Sequence, residues 1–176
     1  WGFVPERMWR HGGATWITSF FLHGDWVHLF ANAYFLVVFG DNTEEDLGAA
    51  RYVVLVFLGA ILGCLLHGAI DRRTDIPVVG ASAGISAVLF YYAFRFPKAR
   101  IGWAWRFWFI PVWWFRMTAK TAFALWILLQ LILAYTQIRG LTQVSALGHL
   151  GGVLAGVLFV VSQRAAAAED RYGARP

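Results

Sequence analysis

The stretch "VVGASAGISAVLFYYAF", residues 78–94, contains Gly80-Ala81-Ser82-Ala83-Gly84, a G-x-S-x-G arrangement. In soluble α/β-hydrolases that arrangement is a sharp strand-to-helix turn carrying a nucleophilic serine. The setting here is different. The segment before it is "DRRTDIP", residues 71–77, and the segment after it is almost wholly apolar as far as Phe96-Pro97. A hydrolase sheet needs alternating strands and helices around the turn, whereas the neighbours here are apolar runs of membrane length. Two readings of Ser82 remain. It is a small residue where two helices touch, which is the ordinary role of a serine between Ala and Gly in such a run, or it is a nucleophile at membrane depth.

Composition selects the solvent. The 176 residues are 59% hydrophobic and 14% charged, with ten Trp, and the mean hydropathy is +0.57. A soluble domain is about a quarter charged, so the chain reads as one embedded in a lipid bilayer. The formal charge of +5 does not indicate a nucleic-acid partner, because the basic residues sit between apolar runs rather than in one patch. Cys64 is alone in an apolar run, which gives no disulfide framework and no metal cluster. It reads as a small core residue, and no metal or cofactor is expected. Trp1 to Arg10 carries Glu6, Arg7 and Arg10 and lacks the apolar stretch of a signal peptide. This polar opening reads as a chain whose upstream part is missing.

A spanning helix needs about 20 mostly apolar residues. Five runs are candidates: Asp25 to Phe39, Tyr52 to Ile70, Pro77 to Phe96, Ala122 to Tyr135 and Val144 to Val161. The first is short unless it extends through the turn after it, and Pro77 suits the start of the third. The stretch "IGWAWRFWFIPVWWFRM", residues 101–117, reads as interfacial, since amphipathic rings and Arg fit the headgroup zone. The tail "AAAAEDRYGARP", residues 165–176, reads as polar and frayed. The expected fold class is an all-α, polytopic membrane bundle.

Charge then orients the runs. Arg95, Lys98, Arg100, Arg106, Arg116 and Lys120 crowd one loop, and Arg164, Arg171 and Arg175 come after the last run. Alternation puts both groups on one side, which is cytoplasmic by the positive-inside rule. The opposite loops carry only Arg72, Arg73 and Arg139. The first, third and fifth runs therefore all start at the outer side. Their starts hold the polar residues that look out of place: His23, His28 and Asn32; Ser82; His149. At a rise of roughly 1.5 Å per residue, Ser82 lies about 10 Å below the surface.

His28 and Asn32 are four apart and share a helix face. Each alone is ordinarily a packing residue hydrogen-bonded to a neighbouring helix. Ionisable groups in lipid are nonetheless functional candidates by default. His149 lies in "ALGHLGGVLAG", residues 146–156, where Gly152 and Gly156 allow close helix packing but leave the His unexplained. A serine hydroxyl needs a base to become a nucleophile, and a His can be that base. Free N–H groups at the start of the third run, the Asn32 amide and a His28 N–H are candidate donors for an oxyanion. No Asp or Glu lies at that depth, so the expectation is a Ser–His dyad.

Four motifs, in order and at family spacing, resemble the rhomboid intramembrane serine proteases. "TSFFLHGDWVHLFAN" (18–32) is similar to the family's second helix, and "FGDNTEEDLG" (39–48) to the turn after it, with Glu44 at the acidic position. "GASAGISAVLFYYAFRFPKARI" (80–101) resembles the helix carrying the nucleophile, and "GHLGGVLAG" (148–156) the last core helix. The resemblance implies a six-helix core of which residues 1–164 hold five spanning helices, followed by the 165–176 tail. It implies hydrolysis of peptide bonds in or beside transmembrane segments of membrane-protein substrates, with Ser82 as nucleophile and His149 as base. His28, Asn32 and the Ser82 N–H would hold the oxyanion, His23 would position water, and Glu44 would tie its turn to nearby backbone donors. Gly80, Gly152 and Gly156 would be structural.

Three departures from the family pattern stand out. Ala83 replaces a usual Gly. Gly148 and Val144 replace a usual Ala and Gly. Ser86 sits where some members have a Tyr stacked on the base, which leaves the orientation of His149 unassigned. Ser86 is also a rival nucleophile in Gly84-Ile85-Ser86, although the family register favours Ser82. A proteolytically inactive relative that binds membrane proteins is the alternative function, and its usual mark would be loss of the Ser or the His. A solute channel would instead place Gly or Pro breaks at the bilayer midplane. The expected location is a bacterial plasma membrane, with the site open to the extracytoplasmic side.

Overall fold

The scaffold is mostly helical. The computed structural model describes residues 1–71, 73–107 and 110–173, and the side chains of 103–115 and 166–173 fall outside that description. Two 3-10 turns, Pro5–Arg7 and Arg10–Gly13, lead into a short helix α1 (Thr15–Phe21). Helices α2 (Trp26–Leu47), α3 (Ala49–Ile70) and α4 (Ser82–Arg95) come next. A hairpin of β1 (Arg100–Phe107) and β2 (Ile110–Thr118) precedes α5 (Ala119–Ile138) and α6 (Ala146–Gly173).

Among the described residues, three helices are long and apolar enough to cross a bilayer: α3, α5 and the Ala146–Ala165 part of α6. The expected five are reduced for two physical reasons. Helix α2 has 22 residues but carries Asp41, Glu44, Glu45 and Asp46 in its last turns. Helix α4 has 14 residues, about 21 Å at 1.5 Å per residue, against a hydrocarbon layer of about 30 Å. It can be short because it is the centre of the bundle. Gly84 to Leu89, Tyr91 and Ala93 are buried against α2, α3 and α6.

The "FGDNTEEDLG" stretch is not a turn. It is the end of α2, and Gly48, at φ +77°, joins α2 directly to α3. Glu44 is exposed, and its backbone carbonyl accepts the Gly48 N–H at 2.7 Å. The acid that ties this end to a neighbouring helix is Asp46, which accepts from Tyr91 Oη at 2.7 Å and Arg95 Nε at 2.9 Å.

Helix α4 starts at Ser82, not at Pro77. Val78 is instead paired with Phe3, N–H to carbonyl both ways at 3.0 and 2.7 Å, and the Gly80 N–H donates to the Ser19 carbonyl at 2.9 Å. Gly80 adopts φ +116°, which side-chain-bearing residues rarely reach. The all-α expectation is corrected by the antiparallel hairpin, whose register shifts between Trp105 and Arg106. Its aromatic and β-branched content suits strands. The expected seating of its Trp side chains and of Arg106 in the headgroup zone lies outside the described residues, as do Arg72 and Arg175 of the charge argument. The chain expected to fray after residue 164 is helical through Gly173.

Small residues bring α3, α4 and α6 together. A Cβ on Gly63 would collide with the Ala83 methyl, and one on Gly152 with the Ala83 carbonyl. At Gly156 it would meet the Phe90 ring at 2.9 Å. Such contact surfaces suit helix association in lipid, where apolar burial gives little drive and van der Waals packing and hydrogen bonds do the work.

The ends of α3 and α5 are fastened to the start of α6 by polar side chains. His67 Nδ1 lies 2.8 Å from Ser145 Oγ and 3.1 Å from Gln137 Nε2. Gln137 Nε2 also donates to Asp71 at 2.7 Å, and its Oε1 accepts the Leu147 N–H at 2.9 Å. Arg73 grips both oxygens of Asp71 and donates to the Thr142 carbonyl at 2.8 Å. Burial would raise the Asp71 carboxyl, but the bonds from Arg73 and Gln137 outweigh it and hold the group well below the usual carboxylate range.

Candidate active site

Ser82 is the first residue of α4, where the opening N–H groups have no intrahelical acceptor. Its Oγ lies 2.9 Å from Nε2 of His149, which α6 presents one turn into its length. The His149 backbone N–H donates to the Ser145 carbonyl at 3.1 Å, which closes the first turn of α6. A small cavity of about 20 Å³ adjoins the pair, lined by Ser19, Cys64, Gly80, Ser82, Ser145 and His149. That is room for one water.

The α2 side chains meet the site through Gly80. A Cβ there would lie 2.7 Å from Cε1 and Nε2 of His28 and 3.6 Å from Nδ2 of Asn32. Glycine thus allows both polar groups to reach the backbone two residues before Ser82. Asp25 caps α2 by accepting the His28 N–H at 2.7 Å, which holds this face in place. Asn32 is buried, and its Nδ2 has no hydrogen-bond partner among the described residues. His23 sits edge-on to His28, with ring centroids 5.0 Å apart. Its contact is therefore with His28, and Glu44 is at the other end of α2.

Ser86, the rival serine, is 1% exposed, and its hydroxyl donates to the Ser82 carbonyl at 2.7 Å. That bond commits it to its own helix. The departure at Gly148 also has a cause. A Cβ there would lie 2.6 Å from Ser145 Oγ, the hydroxyl that reaches His67. The Ala83 methyl is turned toward Gly63 of α3.

Two residues near His149 carry no motif in the sequence. Gln130 of α5 is 3% exposed, and its Oε1 lies 2.7 Å from His149 Nδ1. Trp126, one turn earlier, places its ring centroid 6.2 Å from the imidazole. The available signal is a glutamine inside the apolar run "LWILLQLILAYTQI", residues 125–138, with Gln137 seven residues on and so on the same face. A polar amide in such a run is out of place among lipid-facing residues unless it bonds to a neighbouring helix.

Comparison with known proteins bears on the family of the chain. The chain is 30% identical to Rhomboid-like protease 3 of Toxoplasma gondii over 160 residues, 90% of this chain and 52% of that protein. It is 25% identical to Rhomboid-like protease 1 of Toxoplasma gondii over 150 residues, 82% of this chain and 45% of that protein. The chain thus spans about half the length of the curated relatives it matches, and neither relative supports the expected bacterial membrane. The Rhomboid domain profile matches residues 5–164, and with three apolar helices of membrane length this chain belongs to the rhomboid family of integral membrane proteins.

Proposed function

We propose that the protein is an intramembrane serine endopeptidase that hydrolyses peptide bonds in or beside transmembrane segments of other membrane proteins. The observation that carries this reading is the 2.9 Å approach of Ser82 Oγ to His149 Nε2 beside a water-sized cavity. As the Ser82 oxygen bonds to the scissile carbonyl carbon, its proton passes to His149 Nε2 and the carbonyl oxygen becomes an oxyanion. His149 then gives that proton to the departing amine as the C–N bond breaks. Water, deprotonated by His149, splits the acyl-enzyme and returns the proton to Ser82.

The oxyanion is held by Asn32 Nδ2, His28 Nε2 and the first N–H groups of α4. In support, Asn32 is a buried donor with no partner among the described residues, beside the Gly80 backbone. A substrate helix has its carbonyls hydrogen-bonded and must unwind locally to be cut, which favours small residues or Pro near the scissile bond. The site opens to the extracytoplasmic side, and α2 and α4 cross the bilayer with the three longer apolar helices. The test is cleavage of a transmembrane peptide by the full-length protein in liposomes. Wild type cuts, and Ser82→Ala leaves the peptide intact. Cleavage by the Ser82→Ala protein, or none by wild type, overturns the reading.

A further inference from the structure

A histidine can serve as base toward Ser82 only if its Nε2 carries the lone pair and its proton sits on Nδ1. In serine proteases a buried carboxylate imposes that state. No Asp or Glu contacts His149 among the described residues; its Nδ1 faces Gln130 Oε1 at 2.7 Å, and its Nε2 faces Ser82 Oγ at 2.9 Å. A carboxamide oxygen only accepts, so this contact requires Nδ1–H and leaves Nε2 free to receive the hydroxyl proton. Gln130 lies on α5 and is 3% exposed, so its amide is held by packing rather than by solvent. Trp126, one turn earlier on the same face of α5, places its ring near the imidazole as well.

We propose that Gln130 is the positioning residue of this site: its Oε1 fixes the tautomer and orientation of His149, making the pair a Ser82–His149–Gln130 relay with an uncharged third member. This rests on the proteolytic reading given above. Nδ1–H stays bonded to Gln130 throughout the cycle, while only the Nε2 proton moves. A neutral amide orients the imidazole without adding a negative charge beside it. The relay thereby avoids placing a carboxylate in lipid, where an unpaired charge is costly.

The experiment uses the full-length protein in liposomes with a fluorogenic transmembrane peptide, comparing wild type, Ser82→Ala, Gln130→Leu and Gln130→Glu. Gln130→Leu, close in size but without the acceptor, lowers kcat about 100-fold with KM little changed. Gln130→Glu, which restores an acceptor oxygen, recovers most of that loss. Melting temperatures read in parallel separate positioning from folding. A Leu variant with wild-type kcat overturns the proposal, and so does a Glu variant as slow as the Leu variant. If wild type fails to cleave or Ser82→Ala cleaves, the proteolytic reading itself has failed. The 15N shifts of the His149 ring then decide the tautomer independently: a proton on Nδ1 that is lost from that position in Gln130→Leu supports the role, and a proton on Nε2 in wild type overturns it.

Discussion

Two histidines in this molecule are surrounded by the same residue types and arranged to opposite effect. His149 has a serine and a glutamine beside it, Ser82 and Gln130. His67 also has a serine and a glutamine, Ser145 and Gln137. Around His149 the two partners take different ring nitrogens, and the glutamine offers its oxygen. Around His67 both partners crowd Nδ1, and the glutamine offers its nitrogen, because its oxygen is occupied by the Leu147 N–H. A lone pair shared by two donors is a weaker base toward either of them. Chemistry here depends on which atom faces which, not on residue content.

The largest effect that tests this contrast is on turnover. Ser82→Ala lowers peptide cleavage by at least about 10³-fold while melting stays near wild type. Equal loss from Ser145→Ala would break the distinction between the two centres. Next is Gln137→Leu, which leaves His67, Asp71 and the Leu147 N–H without a shared partner. It destabilises by about 2–3 kcal/mol, read from thermal melts in detergent, with kcat of the folded fraction kept within a few-fold. Ser145→Ala removes one hydroxyl and costs about 1 kcal/mol. Cleavage by Ser86→Ala stays within about threefold of wild type, since its hydroxyl is bonded within its own helix and takes no part in the chemistry.

The smallest effect is on pH dependence. The Asp71 carboxyl is held below its unfolded value of about 3.9. Its contribution to stability is therefore complete above that pH and is lost as pH falls toward the folded value. Melting temperatures of wild type and Asp71→Asn differ most near neutral pH and converge on acidification below about pH 4. Parallel curves would remove Asp71 from the His67 centre's stability.

Particular residues show what a sequence alone can carry. Leu, Val and Phe runs announce α3, α5 and α6, because lipid demands uninterrupted apolar length. The start of α4 is not legible from local signals, since Pro77 favours a helix start while Phe3 and Ser19 hold residues 78–80 extended from far along the chain. Asp41 to Asp46 read as a turn because acids in an apolar protein suggest water, and the partners that keep Asp46 on a helix, Tyr91 and Arg95, lie 45 and 49 residues away. Ser82 and His149 are legible because a hydroxyl and an imidazole announce chemistry, whereas Gln130 and Gln137 do not titrate and so give a fainter signal, although each directs an imidazole. The strands of the hairpin at 100–118 are hidden because aromatic rings suit an interface and a strand equally.

The held backbone at residues 78–80, ahead of Ser82, has a mechanical consequence. Phe3 grips Val78 through two backbone hydrogen bonds, and Ser19 of α1 grips Gly80 through one. Tension applied at Phe3 therefore reaches the segment that leads into Ser82 across two backbone hydrogen bonds. A pull there in a single-molecule trap parts this pairing at a lower force than the one that extracts any rod from the bilayer.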